Sequence, residues 1–467
     1  MSGPVELPPP YFATASSASA HRRLLLISYF FTPINVIGAI RWHRMVQEAA
    51  DRGWAVDVVM VDPMRGASVD AASTAAVDPD KLNELPPGVT IYQVPDQRSW
   101  WSETQRWIWR TIRPVVRQAE PAPSIDHSPV RPAHGNPFRP RAAYLTRLHY
   151  HDFNRWARDA ARAALRIAAV RRPDVIVSSG PPHSAHEAAR RLSVSLGIPW
   201  VMDMRDPWAA AEYTPQDMAS RTWYRMTAGA EARCVRSARV VAMNTEASRH
   251  DICGRYPDAR ERFITVMNGA DPMGIPDNIR PAERFTMAYA GNIYVGRDPT
   301  TVFQGAARVI KELSLTPASI GVEFMGGGEF ARSTVLAAAE QAGISEFVSI
   351  VPRRPHREAL AFLARASVLI GLPQYAHLAI PAKVFEYVQF PAWLLILAEE
   401  GSATEVLFRG TGADVVNPSD VGAIAARIRE RYEQFRRGER PVSLNADGAF
   451  DRSRQSRILF DAMERLR

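Results

Sequence analysis

From residue 22 onward, short apolar runs alternate with segments whose apolar positions recur every three to four residues, the pattern of a parallel sheet covered by helices. Residues 24–30 predict a strand, 39–52 a helix and 55–61 the next strand. Further strands are expected at 175–179, 200–203 and 240–244, each running into a loop rich in Gly, Pro or polar residues. In open α/β sheets such loops are where ligands bind. This half ends near 268–272, and the pattern then restarts. Strands are expected at 286–290, 321–325, 348–351, 367–371 and 394–397, with helices between them such as 300–312 and 358–366, and a helix over 450–467 closes the chain. The expected fold class is α/β: two doubly wound, Rossmann-like domains facing a cleft.

The expected organisation is a disordered leader over 1–21, rich in Pro, Ser and Ala, and an N-terminal domain over 22–272 with a basic Trp/Arg-rich insertion at 98–150. A C-terminal domain follows over 285–445, and a last helix over 446–467 packs back toward the first domain. The length of 467 residues suits two cores of this size. With 46% hydrophobic and 23% charged residues, the composition is that of a globular chain. Cys234 and Cys253 are the only cysteines, too few for a disulfide framework or a four-thiolate metal site. No apolar run approaches the roughly 20 residues that span a bilayer.

Charge changes the picture in one place. Residues 98–172 carry 15 Arg, no Lys and five acids, a local balance of +10 against +8 for the whole chain, so the remainder sums to −2. Arg106, Arg110, Arg113 and Arg117 share one helical face, with Trp100, Trp107 and Trp109 beside them. Two readings fit: a membrane-surface helix against anionic lipid, or a helix packed on its own domain with a solvated Arg face. Arg155, Arg158, Arg162 and Arg166 form a second stripe on a helix ending near Arg172-Pro173. No nucleic-acid motif accompanies either stripe.

Chemistry concentrates in the loops after strands. Gly38, in the loop leading to Arg41, permits close backbone approach at a helix N-terminus. His183 lies just past a strand end, where an imidazole can bond a sugar hydroxyl or a phosphate. The stretch 203–208, Asp-Met-Arg-Asp-Pro-Trp, places Asp203 and Arg205 on one side of a strand; an internal salt bridge, or a metal or general-base site with Asp206, fits that spacing. In the second half, Gly291 leaves room for a phosphate and Arg297 supplies fixed positive charge for a diphosphate leaving group. Gly326, Gly327 and Gly328 open a second close-approach loop. In Pro381-Ala382-Lys383-Val384-Phe385-Glu386-Tyr387, a proline at a helix start and Lys383 converge on an anion, while Glu386 can accept both ribose hydroxyls of a nucleotide. An ordinary i,i+3 Lys/Glu pair is the alternative, and the apolar flanks weigh against it.

Taken in order, the loop 29–41, Ser178–Ser184, 203–208, 268–271, 290–292, 325–328 and 381–387 resemble the GT-B glycosyltransferases of family 4, the retaining enzymes that move a sugar from a nucleotide-sugar to an acceptor. The resemblance runs from about residue 22 to the end. It implies a donor diphosphate held by an Arg and a Lys after the first strand of the second domain; here Asn292 stands at the Arg position and Arg297 where the Lys is expected. It also implies two glutamates eight positions apart, of which Glu386 matches the second, the ribose ligand, while Leu378 occupies the first. On this resemblance Arg297, Lys383 and His183 are the catalytic set. Gly291, Asn292, Gly327, Pro381, Ala382 and Glu386 are the donor-binding set, and Asn35, Gly38, Arg41, Arg205 and Asp206 bind the acceptor.

No metal and no cofactor are expected, the nucleotide-sugar serving as co-substrate. The expected partners are that donor, a saccharide or lipid-linked acceptor, an anionic membrane surface through residues 98–117, and no nucleic acid. The expected place of action is the cytoplasm, with peripheral attachment at the inner face of the plasma membrane as the alternative to a freely cytoplasmic protein. Two alternatives share the fold: a nucleotide-sugar epimerase, and a catalytically weak sugar-nucleotide-binding protein.

Overall fold

The computed structural model describes residues 7–66, 77–96, 140–210, 220–271, 275, 279–291, 293, 297–374 and 376–466. The chain divides into two compact units, the first holding residues 1–244, 249–266 and 456–467, the second 245–248 and 267–455.

Among the described residues the first unit is built on an eight-stranded sheet. Its strands are β1 (Phe12–Ala13), β2 (Arg22–Ser28), β3 (Trp54–Gly66), β4 (Val89–Asp96), β5 (Val175–Gly180), β6 (Trp200–Met204), β7 (Val240–Met243) and β8 (Phe263–Thr265), in the order β1-β4-β3-β2-β5-β6-β7-β8. All pairings are parallel except β1 with β4. β5 is buried at every position, as a parallel strand covered on both faces must be. The covering helices include α1 (Ile37–Asp51), α2 (Pro140–Val170), α3 (Ser184–Leu196), α4 (Arg221–Ser237) and α5 (Glu246–Arg255).

Helix α2 shows how the sequence builds its layer. Trp156, Ala157, Ala160, Ala164 and Ile167 are buried on one stripe, and Arg158, Arg162 and Arg166 are exposed on the other. This second arginine stripe is therefore a solvated face. The first stripe, Arg106 to Arg117, lies outside the described residues, as does 98–139 of the expected insertion; residues 140–150 are the opening turns of α2.

One expectation is corrected here. Within the leader expected to be disordered over 1–21, Phe12 pairs with Ile91 and Ala13 with Thr90. The Tyr11 and Thr14 amides donate to Ile91 and Val89 carbonyls at 2.8 and 2.9 Å. The Pro/Ser/Ala composition hid an edge strand of two residues, held by backbone pairing, by the Thr14 hydroxyl on Val89 and by Phe12 against the core, none of which needs a periodic apolar pattern.

The second unit repeats the plan with six strands among the described residues, all parallel: β9 (Phe285–Ala290), β10 (Ile320–Met325), β11 (Val348–Val351), β12 (Val368–Gly371), β13 (Trp393–Leu397) and β14 (Asp414–Val416), ordered β11-β10-β9-β12-β13-β14. Between them run α6 (Thr300–Glu312), α7 (Glu329–Gln341), α8 (His356–Ala364), α9 (Ala382–Tyr387), α10 (Ala403–Phe408) and α11 (Val421–Arg436). Period two sorts the strand side chains between two cores: Val368 and Ile370 join Phe285, Phe303 and Val322, while Leu369 joins Phe385 and Ile396 on the other face. The last helix, α12 (Arg452–Glu464), contributes Leu459, Phe460 and Met463 to the core of the first unit.

Strand order reverses once in each sheet, between β2 and β5 in the first unit and between β9 and β12 in the second. At such a switch point the two flanking loops leave in opposite directions and open a crevice beyond the carboxyl ends of the strands. Every candidate site residue among the described ones follows the carboxyl end of a strand.

Candidate functional site

In the second unit the site starts at the end of β9. Gly291 has φ 145°, outside what a side chain accepts comfortably, and a Cβ there would lie 2.8 Å from Lys383 Nζ and closer still to its Cε. Glycine at 291 thus makes room for the lysine of α9. The Tyr387 phenol, fully buried, accepts the Ala290 N–H at 3.0 Å and donates to the Ala290 carbonyl at 3.2 Å, which ties α9 to the strand end. Arg297 lies beyond, its Nη1 3.4 Å from the Tyr289 hydroxyl. The loop carrying it is fixed by Gln374 after β12, which accepts from the Asp298 N–H at 3.0 Å and donates to the Asp298 carbonyl at 2.7 Å.

Lys383 and Glu386 are both partly buried, and neither forms an ion pair or side-chain hydrogen bond among the described residues. They nevertheless sense each other. Burial lowers the Lys383 ammonium from its ordinary value, Glu386 pulls it back up, and Arg297 lowers it further. A surface i,i+3 pair would neutralise itself; here Lys383 and Glu386 stand partly buried beside the Arg297 guanidinium, an arrangement that fits an anionic, hydroxyl-bearing ligand. Pro381 and Ala382 open α9, with Pro381 at the N-cap. The helix has only 6 residues, so the expected anion attraction of its N-terminus gives way to the side-chain cations. Gly327 sits in the turn between β10 and α7, with φ 82°, and the Gly291 amide donates to the Met325 carbonyl at the head of that turn at 2.8 Å. Asn292 lies outside the described residues. Leu378 offers its backbone where the resemblance expects a carboxylate: its carbonyl accepts the Thr245 and Ser248 hydroxyls at 2.6 and 2.7 Å.

The first unit gathers the other set, with one correction. Arg41 was expected to bind an acceptor, but it is 1% exposed and its guanidinium bonds Asp203 through Nε at 3.2 Å and Nη2 at 2.9 Å, and the Val266 carbonyl at 2.9 Å. Asp203 also accepts from Trp42 Nε1 at 2.8 Å and Ser179 Oγ at 3.0 Å. The salt bridge anticipated within 203–208 is thus made by Arg41 from α1, and it fixes α1 to β5 and β6. A fully buried carboxylate with three donors is a structural node, closed to substrate.

Arg205 is left to a different task. Its guanidinium donates to the Gly180 carbonyl at 3.3 Å and to the Pro181 carbonyl, and it lies so close over Gly38 that any Cβ there would overlap it. The residue that needs glycine at 38 is therefore Arg205. Asp206, beside it, makes no ion pair or side-chain hydrogen bond among the described residues, and burial holds its carboxyl above the ordinary range against the pull of Arg205 and Arg41. Asn35 is exposed and accepts from Lys81 Nζ at 2.8 Å. His183 stacks on Trp208 at 4.7 Å between ring centroids and 16° between planes. Burial, together with His186 and Arg205, holds its pKa well below the ordinary imidazole value, so it is a neutral group here. Gln374 and His186 carry no sequence expectation, and Tyr387 and Trp208 appear only as the ends of their motifs; the contacts that give Tyr387 and Gln374 their roles lie 97 and 76 residues away in the chain.

No family model matches the sequence, and no curated protein matches it significantly. Solved structures do. HepE of Anabaena, crystallised with UDP and glucose, is 13% identical and superposes with a TM-score of 0.56 over 96% of this chain and 100% of its own. Sucrose-phosphate synthase of Thermosynechococcus elongatus gives 0.58 at 13% identity, covering 96% and 99%. The fold is that of the GT-B glycosyltransferases. The apo lipopolysaccharide outer core galactosyltransferase WaaB superposes on this GT-B chain with a TM-score of 0.54 at 11% identity, over 95% and 99%. The fold expectation of two doubly wound α/β domains is thereby met. At such identities the likeness carries the architecture alone.

Proposed function

We propose that this chain is a retaining glycosyltransferase of family 4 type, which moves a sugar from a nucleotide-sugar to a saccharide or lipid-linked acceptor in cell-surface polysaccharide or glycoconjugate synthesis. The observation that carries the reading is the partly buried Lys383 and Glu386 on α9, with the Arg297 guanidinium near enough to lower the lysine's pKa, at the switch point of the second sheet. Glu386 receives the ribose hydroxyls, and Lys383 and Arg297 receive the diphosphate. The HepE structure, described with UDP and glucose, supports a donor of this class.

Departure of a nucleoside diphosphate leaves an oxocarbenium-like sugar and builds negative charge on the leaving oxygens. Two fixed cations beside those oxygens stabilise that charge as it develops, without reorganisation. Lys383 takes the place of the cation missing at Asn292, reaching Gly291 from the helix instead of from the loop. In the front-face attack that the family resemblance implies, the leaving phosphate takes the acceptor proton, so no protein nucleophile is required. Neutral His183 then serves as a hydrogen-bonding group toward a sugar hydroxyl, with Arg205, Asp206 and Asn35 on the acceptor.

No helix among the described residues is long and apolar enough to cross a membrane. Attachment to an anionic cytoplasmic surface through residues 98–117 is part of the same proposal, and liposome flotation with and without Arg106, Arg110, Arg113 and Arg117 tests it. The reading as a whole is tested by a panel of nucleotide-sugars with saccharide and lipid-linked acceptors. Glycoside formed with retention of anomeric configuration supports it; donor bound with no glycoside formed under any pairing contradicts it.

A further inference from the structure

Behind His183 the first unit holds a second imidazole that the reading above does not use. His186, in the first turn of α3, is 0% exposed. Its Nδ1 is 2.8 Å from Ser178 Oγ, and the same Oγ accepts from Trp200 Nε1 at 2.8 Å. Indole nitrogen only donates, so the serine's own proton stays available, and His186 Nδ1 is its one acceptor among the described residues; the arrangement that leaves that proton bonded has the serine donating to Nδ1. That leaves the His186 proton on Nε2. This Nε2 is buried with no hydrogen-bond partner among the described residues, and so is Nδ1 of His183.

The two unpartnered nitrogens converge. A Cβ placed on Gly180 would lie 2.7 Å from His186 Nε2 and 3.2 Å from His183 Nδ1, so both face the open side of the same glycine. The rings are 5.4 Å apart between centroids, and both pack against Trp208, at 4.7 Å for His183 and 6.0 Å for His186. Buried polar atoms of native proteins are nearly always satisfied, by protein, water or ligand. With His186 Nε2 the donor, whatever bridges the two nitrogens must accept from it, which a metal cation cannot do. A hydroxyl oxygen accepts there and has a proton to give to His183 Nδ1.

We infer that one hydroxyl oxygen, from water or from a bound sugar, bridges His186 Nε2 and His183 Nδ1 and thereby confines the His183 proton to its Nε2. The chain Trp200, Ser178, His186, bridging hydroxyl, His183 then runs in one direction, each group donating to the next. His186 is a positioning residue: it acts through His183, which offers its substrate an N–H donor and never a lone pair. Both rings are neutral across the physiological range, since burial takes His186 down to about 3 and His183 well below its ordinary value. The relay lies wholly within the first unit and is independent of the donor-site reading.

Long-range proton–nitrogen NMR of the full chain labelled with 15N-histidine at pH 7 reads the tautomers directly. The expected result is His183 and His186 both neutral and both protonated on Nε2. In His186→Phe the His183 ring nitrogens should shift toward a mixture of tautomers, and in His186→Gln, which keeps a donor, the Nε2–H form should persist. His186 protonated on Nδ1, His183 protonated on Nδ1, or a His183 spectrum unmoved by His186→Phe overturns the inference. Should His186→Phe fail to fold, the wild-type tautomers decide alone. Addition of millimolar UDP-glucose against UDP identifies the bridge: signals unmoved by either belong to a held water, and signals moved by UDP-glucose but not UDP belong to a sugar hydroxyl.

Discussion

Tyr387 grips both backbone polar groups of Ala290, accepting from the N–H at 3.0 Å and donating to the carbonyl at 3.2 Å. Those groups lie at the end of β9, and the tyrosine ends the helix that carries Lys383 and Glu386. Removing one hydroxyl leaves a buried donor and a buried acceptor without that partner. Tyr387→Phe is expected to cost about 1–3 kcal/mol in the urea midpoint and to raise the donor KM as α9 loosens. A variant as stable as wild type, with unchanged KM, removes this clamp from the account.

Lys383 is expected to act as a charge, and its titration gives a sign. Burial lowers its pKa. Below that pKa the ammonium pairs with the diphosphate; as pH rises through it, ahead of the ordinary lysine range, the charge and the affinity go together. Donor KM should therefore rise with alkaline pH, and Lys383→Met should raise it about ten- to a hundredfold at pH 7, the range of one charge-assisted bond. Lys383→Arg should remove the alkaline rise while keeping binding. A KM independent of pH and of Lys383→Met places the lysine elsewhere.

The Arg41–Asp203 pair should report on stability. Asp203→Asn or Arg41→Met strands a fully buried charge, at about 3–5 kcal/mol. Chemical denaturation of each single variant checks this, and near-wild-type stability of either contradicts the structural reading of Arg41.

Much of the fold was legible because both sheets are parallel apart from the β1 edge and their inner strands are buried: β13 is a continuous apolar run, β5 opens with Val-Ile-Val, and the Gly, Pro and polar breaks after the strands mark the loops. The closeness of Lys383 and Glu386, the residues proposed for the donor, was legible as well, since they sit three residues apart on one short helix. What escaped is long-range pairing. Nothing in the spelling of 203–208 says that Asp203 meets Arg41 from 162 residues earlier, or that Gly38 is spared a side chain for the sake of Arg205. The edge strand at Phe12 escaped for a different reason: a two-residue backbone pairing leaves no periodic trace.

His186 makes the fold acid-sensitive. Its folded pKa, about 3, lies below the ordinary 6.5. Above pH 6.5 both folded and unfolded states are neutral and the group contributes no slope. As pH falls below 6.5 the unfolded chain takes up a proton that the native state refuses, and stability drops by about 1.4 kcal/mol per pH unit until the native ring titrates. Urea midpoints between pH 7 and 4 should fall less steeply in His186→Gln than in wild type. Parallel curves contradict the buried, neutral assignment.

The most direct test is calorimetric titration of the full chain with a panel of nucleoside diphosphates, alongside Glu386→Ala. One or more members of the panel should bind, and the carboxylate variant should bind that member at least about tenfold more weakly, the loss of one strong hydrogen-bonding group to the ribose. Binding of equal strength in wild type and Glu386→Ala would contradict the assignment of the nucleotide to this site.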